Sequence, residues 1–144
     1  MRDDELDDSL LKEMAAEADR YIRSFPWCID IQDKFFGDGY GGIIALFLFR
    51  VSIRGGAEPE WIWVIVGGIP SAYLDTAEDI PSPQDALARY LEGVEDWIAT
   101  PANERASRRD LPPIDGPPGR KFTEMLETRI ATLREHFLPH FRNE

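Results

Sequence analysis

Apolar residues recur at three- and four-residue spacing in the first part of the chain, and this period predicts an amphipathic helix over residues 4–25. The apolar set is Leu10, Leu11, Met14, Ala15, Ala18, Tyr21, Ile22 and Phe25. Acidic residues crowd the first turns, where the helix dipole stabilises negative charge. Pro26 then ends the helical pattern.

After Pro26 the period changes to two, which is typical of β-strands. A half-exposed strand is predicted from residue 27, with Trp27, Ile29, Ile31 and Phe35 on one face, and a glycine-rich turn over residues 37–42. Residues 43–54 form a second strand, apolar on both faces at first and on one face only from Arg50 onward. Residues 61–66 are apolar on both faces, as in an interior strand. Residues 69–74 fit a short fourth strand.

Helical patterns return in the second half of the chain. Ser82 and Pro83 give a helix start, Thr100 and Pro101 open a short helix, and residues 122–137 carry a last amphipathic pattern. The order predicts an α+β fold: an antiparallel meander of three to four strands, preceded by one helix and followed by two to three helices packing on the sheet. The two-sided strands require cover on both faces, either from helices or from a second subunit, and we expect a homodimer.

The length of 144 residues fits a single domain with a hydrophobic core of its own. Four prolines in residues 111–119 predict an irregular surface segment there. The sequence shows a single cysteine, no leader pattern and no apolar run of membrane-spanning length. We therefore expect a cytoplasmic protein.

The formal net charge of −11 makes nucleic acid and anionic membrane surfaces poor partners, because both bind basic faces. Residues 1–19 hold eight acidic and two basic side chains, which give a net charge of −6. Residues 75–96 hold seven acidic side chains and one basic side chain, which also give a net charge of −6. Such an excess either keeps the protein soluble through self-repulsion or attracts a basic protein partner.

The densest local signal is the apolar run of residues 61–66, followed by two glycines, a proline and Ser71, Tyr73 and Asp75 at alternate positions. In an extended chain these three side chains share one side, where a hydroxyl, a phenol and a carboxylate could bind a ligand. The other interpretation is a strand with its turn and a short further strand. No glycine-flanked nucleophile elbow surrounds Ser71.

Two further sets are candidates for contacts with a partner. Trp61 and Trp63 share one strand face and would mark an interface if exposed, or belong to the core if buried. Arg105, Arg108 and Arg109 lie on one helix face, where they could bind a partner's carboxylates or pair with the chain's own acidic segments.

The remaining candidate chemistry predicts no catalytic residue, metal site or cofactor. His136 and His140 have the four-residue spacing of helical metal ligands, but Pro139 falls between them and no H-E-x-x-H pattern occurs. Cys28 stands at a strand start with no neighbour in sequence that would lower its pKa, which favours a structural thiol.

The pattern W-x-W-V-x-V-G-G-I-P-S-A-Y-L, followed by P-x-x-A-L-x-x-Y, resembles a small bacterial protein family of unknown function. The matching stretch covers residues 61–97. The resemblance implies a bacterial cytosolic protein of this size and assigns no role to any residue.

Two functions fit these observations. The acidic charge, the aromatic strands and the lack of a catalytic signature favour a non-catalytic protein-interaction or inhibitor-type module. The alternative is a small-ligand-binding protein or enzyme with a pocket near residues 71–75.

Overall fold

A computed structural model describes residues 4–40, 43–74, 79–107, 120–141 and 143, and it has one helix, a four-stranded sheet and further helices in that order. The elements are α1 (Asp4–Arg23), β1 (Cys28–Tyr40), β2 (Ile44–Ile53), β3 (Glu60–Gly67), β4 (Ala72–Leu74), α2 (Pro83–Ala99) and α3 (Arg120–Thr132). A 3-10 helix (Ala102–Ser107) follows α2, and a π-helical turn (Leu133–Phe137) with a 3-10 turn (Leu138–His140) follows α3. The predicted α+β fold is confirmed. The proline-rich segment lies outside the described residues.

The sheet is a meander with the strand order β1-β2-β3-β4, and every neighbouring pair is antiparallel. Short connections between strands allow only this arrangement of hairpins. β2 and β3 are the interior strands, which explains why both are apolar on two faces. β1 and the three-residue β4 form the two edges.

Helices cover both faces of the sheet. On one face α1 buries Met14, Ala18 and Ile22 against the odd-numbered apolar residues of β2 and the even-numbered ones of β3. On the opposite face α2 and α3 pack over Leu46, Trp63 and other residues of the same two strands. The chain's own helices therefore cover both apolar faces of β2 and β3, so these strands do not require a second subunit.

An ion pair between Asp19 of α1 and Lys34 of β1 joins the two elements, and a second pair, Asp19 with Arg23, lies within α1. The Asp19 carboxylate lies 3.0 Å from the Lys34 ammonium and 2.7 Å from the Arg23 guanidinium. Partial burial on its own would disfavour the charged carboxylate, but hydrogen bonds from these two cations outweigh it and hold the pKa of Asp19 below its ordinary value. Lys34 thus points toward α1, away from α2.

β1 differs from the predicted strand in both length and alternation. It continues to Tyr40 through part of the predicted glycine turn, and its pairing with β2 is irregular at three points. Each irregularity shifts the alternation, since an extra residue moves the following side chains to the other face. Consequently Ile31 is buried under α1, whereas Ile29 is 57% exposed and Phe35 is 53% exposed. Phe35 pairs with Leu48 on the α2 face, whereas Ile31 and Trp27 lie on the α1 face. The prediction that all four residues share one face was therefore wrong.

The irregularity at Gly37 coincides with a tight contact between β1 and the start of α2. A Cβ atom at Gly37 would lie 2.8 Å from the Trp63 ring, 3.0 Å from the Leu46 carbonyl oxygen and 3.3 Å from Pro83. Only glycine leaves room for this approach. The N-terminal end of α2 is thereby seated over β1 at Gly37.

Ser82 caps α2 as the sequence predicts. Its hydroxyl accepts a hydrogen bond of 3.1 Å from the backbone N–H of Asp85, and the side chain is fully buried. Replacing Ser82 by alanine is expected to lower the free energy of unfolding by about 1–2 kcal/mol, because the cap is lost in a dry environment. Urea denaturation measures this loss. Ser107→Ala, at an exposed serine, is the control and should change stability by less than about 0.5 kcal/mol.

Candidate functional site

On the face of the sheet that carries α2, the described helices cover one end only. Phe35, Leu48 and Trp63 form one row across β1, β2 and β3 on this face. Trp63 is 4% exposed under the helical layer, Leu48 is partly buried, and Phe35 at the edge is open. The helical cover therefore ends along this row.

Beyond that row the face is open to solvent. The next row consists of Asp33, Arg50 and Trp61, and Ser52 lies in the row after it. None of these residues is buried, and Gln32 and Phe35 beside them are exposed. We call this surface the aromatic platform; it consists of Gln32, Asp33, Phe35, Arg50, Ser52 and Trp61.

Contacts between the platform side chains fix their positions. The Arg50 Nε atom lies 2.7 Å from a carboxylate oxygen of Asp33, and its guanidinium lies 5.8 Å from the centre of the Trp61 ring. The Phe35 and Trp61 rings are 5.9 Å apart at an angle of 33°. Arg50 thus makes an ion pair and a cation–π contact within the platform, and both restrict its side chain before any partner binds.

Trp61 and Trp63 share one strand face, as predicted, but their environments differ. Trp63 is in the core between the sheet and α2, where its indole N–H donates a hydrogen bond of 3.0 Å to the Ile80 carbonyl oxygen. Trp61 is partly exposed on the platform. Of the two tryptophans that the sequence singles out, only Trp61 is accessible enough to contact a partner.

The predicted ligand-binding trio is placed only in part. Ser71 is half-buried just before β4, and Tyr73 lies on the α1 face of β4 opposite Val64. The Tyr73 ring packs 5.0 Å from that of Phe25 and 5.1 Å from that of Trp27. Asp75 lies outside the described residues, so a site formed by all three stays a prediction.

Tyr21 joins the aromatic cluster around Tyr73. Its hydroxyl is buried and has no hydrogen-bond partner within the part of the chain that the structure describes. Burial raises the pKa of this phenol, with a smaller contribution from Tyr73. The hydroxyl therefore stays protonated near neutral pH. The centre of the Tyr21 ring lies 5.1 Å from that of Phe25 and 6.5 Å from that of Tyr73. These distances are those of packed aromatic side chains, so the cluster belongs to the packed interior at the end of α1.

Arg105 contacts the C-terminal end of α2. Its guanidinium stacks over Trp97 at 3.6 Å, and its Nε donates hydrogen bonds to the carbonyl oxygens of Trp97 and Thr100 at 2.9 and 3.0 Å. The Trp97 carbonyl belongs to the last turn of α2, and Thr100 caps the helix, so the cation lies at the helix C-terminus, where it is favourable. Arg108 and Arg109 lie outside the described residues, so a basic patch formed by the three remains a prediction.

The other titratable candidates give no sign of a reactive centre. Burial raises the pKa of the Cys28 thiol, opposite to the shift that activates a thiolate. The side chains of His136 and His140 are exposed at the end of the chain's helical region. Within the described ranges, no group of three or more histidine, cysteine, aspartate or glutamate side chains could hold a metal ion.

Sequence reasoning did not identify Phe35 and Arg50 as parts of a site. The signal for Arg50 was present, because β2 was correctly predicted to be covered on one face only from this residue onward. Phe35 was assigned to a buried face, since no pattern of residue types revealed the irregularities in β1. The platform became visible only when the pairing of the strands was known.

Comparisons with protein-family models, curated proteins and solved structures found no match to this chain. The fold and the platform therefore carry the functional argument. In the described part of the chain, the helices are all too short or too polar to cross a membrane.

Proposed function

We propose that this chain is a non-catalytic protein-interaction module and that the aromatic platform is its contact surface. The observation that carries the proposal is the contact between the exposed Phe35 ring and the partly exposed Trp61 ring, beside the Asp33–Arg50 ion pair, at a sheet end that none of the described helices covers. Aromatic residues and arginine are enriched in protein–protein interfaces and dominate their binding energy. An inhibitor or an accessory protein would bind through a surface of this kind.

The order within the platform supports this function. Association orders side chains at an entropic cost of about 0.5–1.5 kcal/mol for each flexible side chain. Arg50 is already restrained by Asp33 and Trp61, so less of this cost remains when a partner binds. The high negative charge of the chain disfavours nucleic acid as the partner of these rings.

Site-specific photo-crosslinking in cells that express the chain tests this proposal. A photoreactive phenylalanine analogue is placed at Phe35, at Trp61 and, as a control, at Glu92 on the exposed side of α2. We expect discrete adducts of one size from positions 35 and 61 and none from position 92. Adducts from position 92 alone, or no adduct at any position, would contradict a contact surface on the platform.

A further inference from the structure

We infer that the partner of the aromatic platform is a second copy of this chain, packed face to face across a two-fold axis. The inference rests on the proposed function, because it takes the platform to be the contact surface. It has a different basis from the dimer expected from the two-sided strands, whose faces the chain's own helices already cover.

The first observation is where exposed apolar side chains occur. In the described part of the chain, five large hydrophobic residues are exposed, and β1 carries three of them: Ile29, Phe35 and Phe36. Phe36 lies on the α1 face, whereas Phe35 lies on the α2 face next to Trp61, and exposed aromatic side chains that adjoin one another mark an interaction site. Within the platform, the Phe35 ring contacts the Trp61 ring. The platform is thus a surface on which a partner would shield apolar side chains from water.

The second observation concerns the edge of β1. A free edge can pair with a strand of another molecule when it is long and regular. β1 is long, but its pairing with β2 is irregular near Ile29, Gln32 and Gly37, so regular stretches are short. Such irregularities twist an edge away from a straight partner strand. The partner is therefore placed on the face of the sheet, where Phe35 and Trp61 point.

The third observation is the charge of the platform. Residues 1–19 and 75–96 each have a net charge of −6. Together they hold −12 and the whole chain has −11, so all other residues have a net charge of +1. The platform lies outside both segments and holds one aspartate and one arginine. A two-fold interface places each such surface against its own copy, so balanced charges allow opposite signs to meet. A basic partner of another kind would instead be drawn to the two acidic segments.

The inference is tested by sedimentation equilibrium of the purified chain at about 1–100 µM, where modest interfaces dissociate. We expect the average mass to rise with concentration from 16.4 kDa toward twice that value. Phe35→Asp should weaken the dimer at least about tenfold, because it removes a central aromatic ring and adds charge. Circular dichroism should show both proteins folded, since the Phe35 side chain is largely exposed.

Phe36→Asp is the matched control. Phe36 is the next residue of the same strand and is 43% exposed, but it pairs with Phe47 on the α1 face. This variant should dimerise like the parent chain. An equal loss in both variants would show pairing along the edge of β1 and overturn the face-to-face arrangement.

Charge reversal supplies a second readout. Arg50→Asp gives both facing platforms a net negative charge and should weaken the dimer, whereas the double variant Asp33→Arg/Arg50→Asp restores balance and should recover it.

A parent chain at 16.4 kDa throughout the concentration range overturns the inference. If crosslinks from positions 35 and 61 then join a different protein, the proposed function stands without the dimer; if there are none, both fail.

Discussion

Replacing Trp63 by alanine is expected to lower the free energy of unfolding by about 3–5 kcal/mol, the range for large buried aromatic residues. The ring is 4% exposed and packs in the core between the sheet and α2, so truncation leaves a cavity that its neighbours cannot fill. The change also removes the N–H that donates to the Ile80 carbonyl oxygen. Urea or guanidinium denaturation followed by far-UV circular dichroism measures the loss.

Trp61→Ala is the matched control for this prediction, because it removes the same residue type from the same face of the same strand. Its ring is partly exposed on the platform, and we expect a loss of about 1 kcal/mol. Trp63→Phe keeps an aromatic ring but removes the indole N–H and part of the ring volume. It should cost less than Trp63→Ala, about 1–3 kcal/mol, with the unpaired Ile80 carbonyl oxygen as one contribution. Equal losses for Trp61→Ala and Trp63→Ala would refute the division of the two tryptophans between core and platform.

The second large effect is expected at Gly67, the last residue of β3. Its φ angle is +141°, in a region of backbone space that side chains other than hydrogen rarely enter. A Cβ atom here would also overlap the Ile43 carbonyl oxygen and lie 2.8 Å from the Ile44 Cα atom. Both neighbours are backbone and cannot move aside without shifting the start of β2. Gly67→Ala should therefore destabilise the fold by at least about 2 kcal/mol.

Gly68→Ala tests whether the expected loss of stability is specific to position 67 or would follow from replacing any glycine in this turn. The nearest atom to a Cβ at Gly68 is a nitrogen of the Arg129 guanidinium at 3.3 Å, which a flexible side chain can move. We expect a change of less than about 0.5 kcal/mol for this variant in the same denaturation experiment. A Gly67→Ala protein as stable as the parent would mean that the turn from β3 tolerates another backbone conformation.

Much of the fold follows from short-range patterns in the sequence. The change at Pro26 from apolar residues spaced three and four apart to apolar residues spaced two apart separates α1 from the strands, and Ser82 followed by Pro83 marks the start of α2. The two-sided apolar stretches correctly identify β2 and β3 as interior strands. These features are predictable because a helix or strand places its side chains by a fixed local geometry.

The course of β1 could not be predicted in the same way. An irregular pairing leaves no mark on residue type: Ile29, Ile31 and Phe35 are all apolar, yet Ile31 alone is buried. Gly37 was assigned to a turn, although it belongs to the strand and admits the Trp63 ring. The reason for that glycine is a contact between segments that are distant in sequence. Only the tertiary structure brings them together.

The aromatic platform likewise depends partly on local sequence patterns and partly on tertiary packing. The alternation in β2 after Leu48 determines that one face of the sheet becomes polar at Arg50, and the sequence alone predicts this. Which tryptophan is buried is decided by where the start of α2 settles, over Gly37 and Trp63. The helical cover ends before the next row, so Trp61 remains open beside Arg50. Local periodicity fixes the faces of a strand, whereas the extent of cover on each face depends on long-range packing.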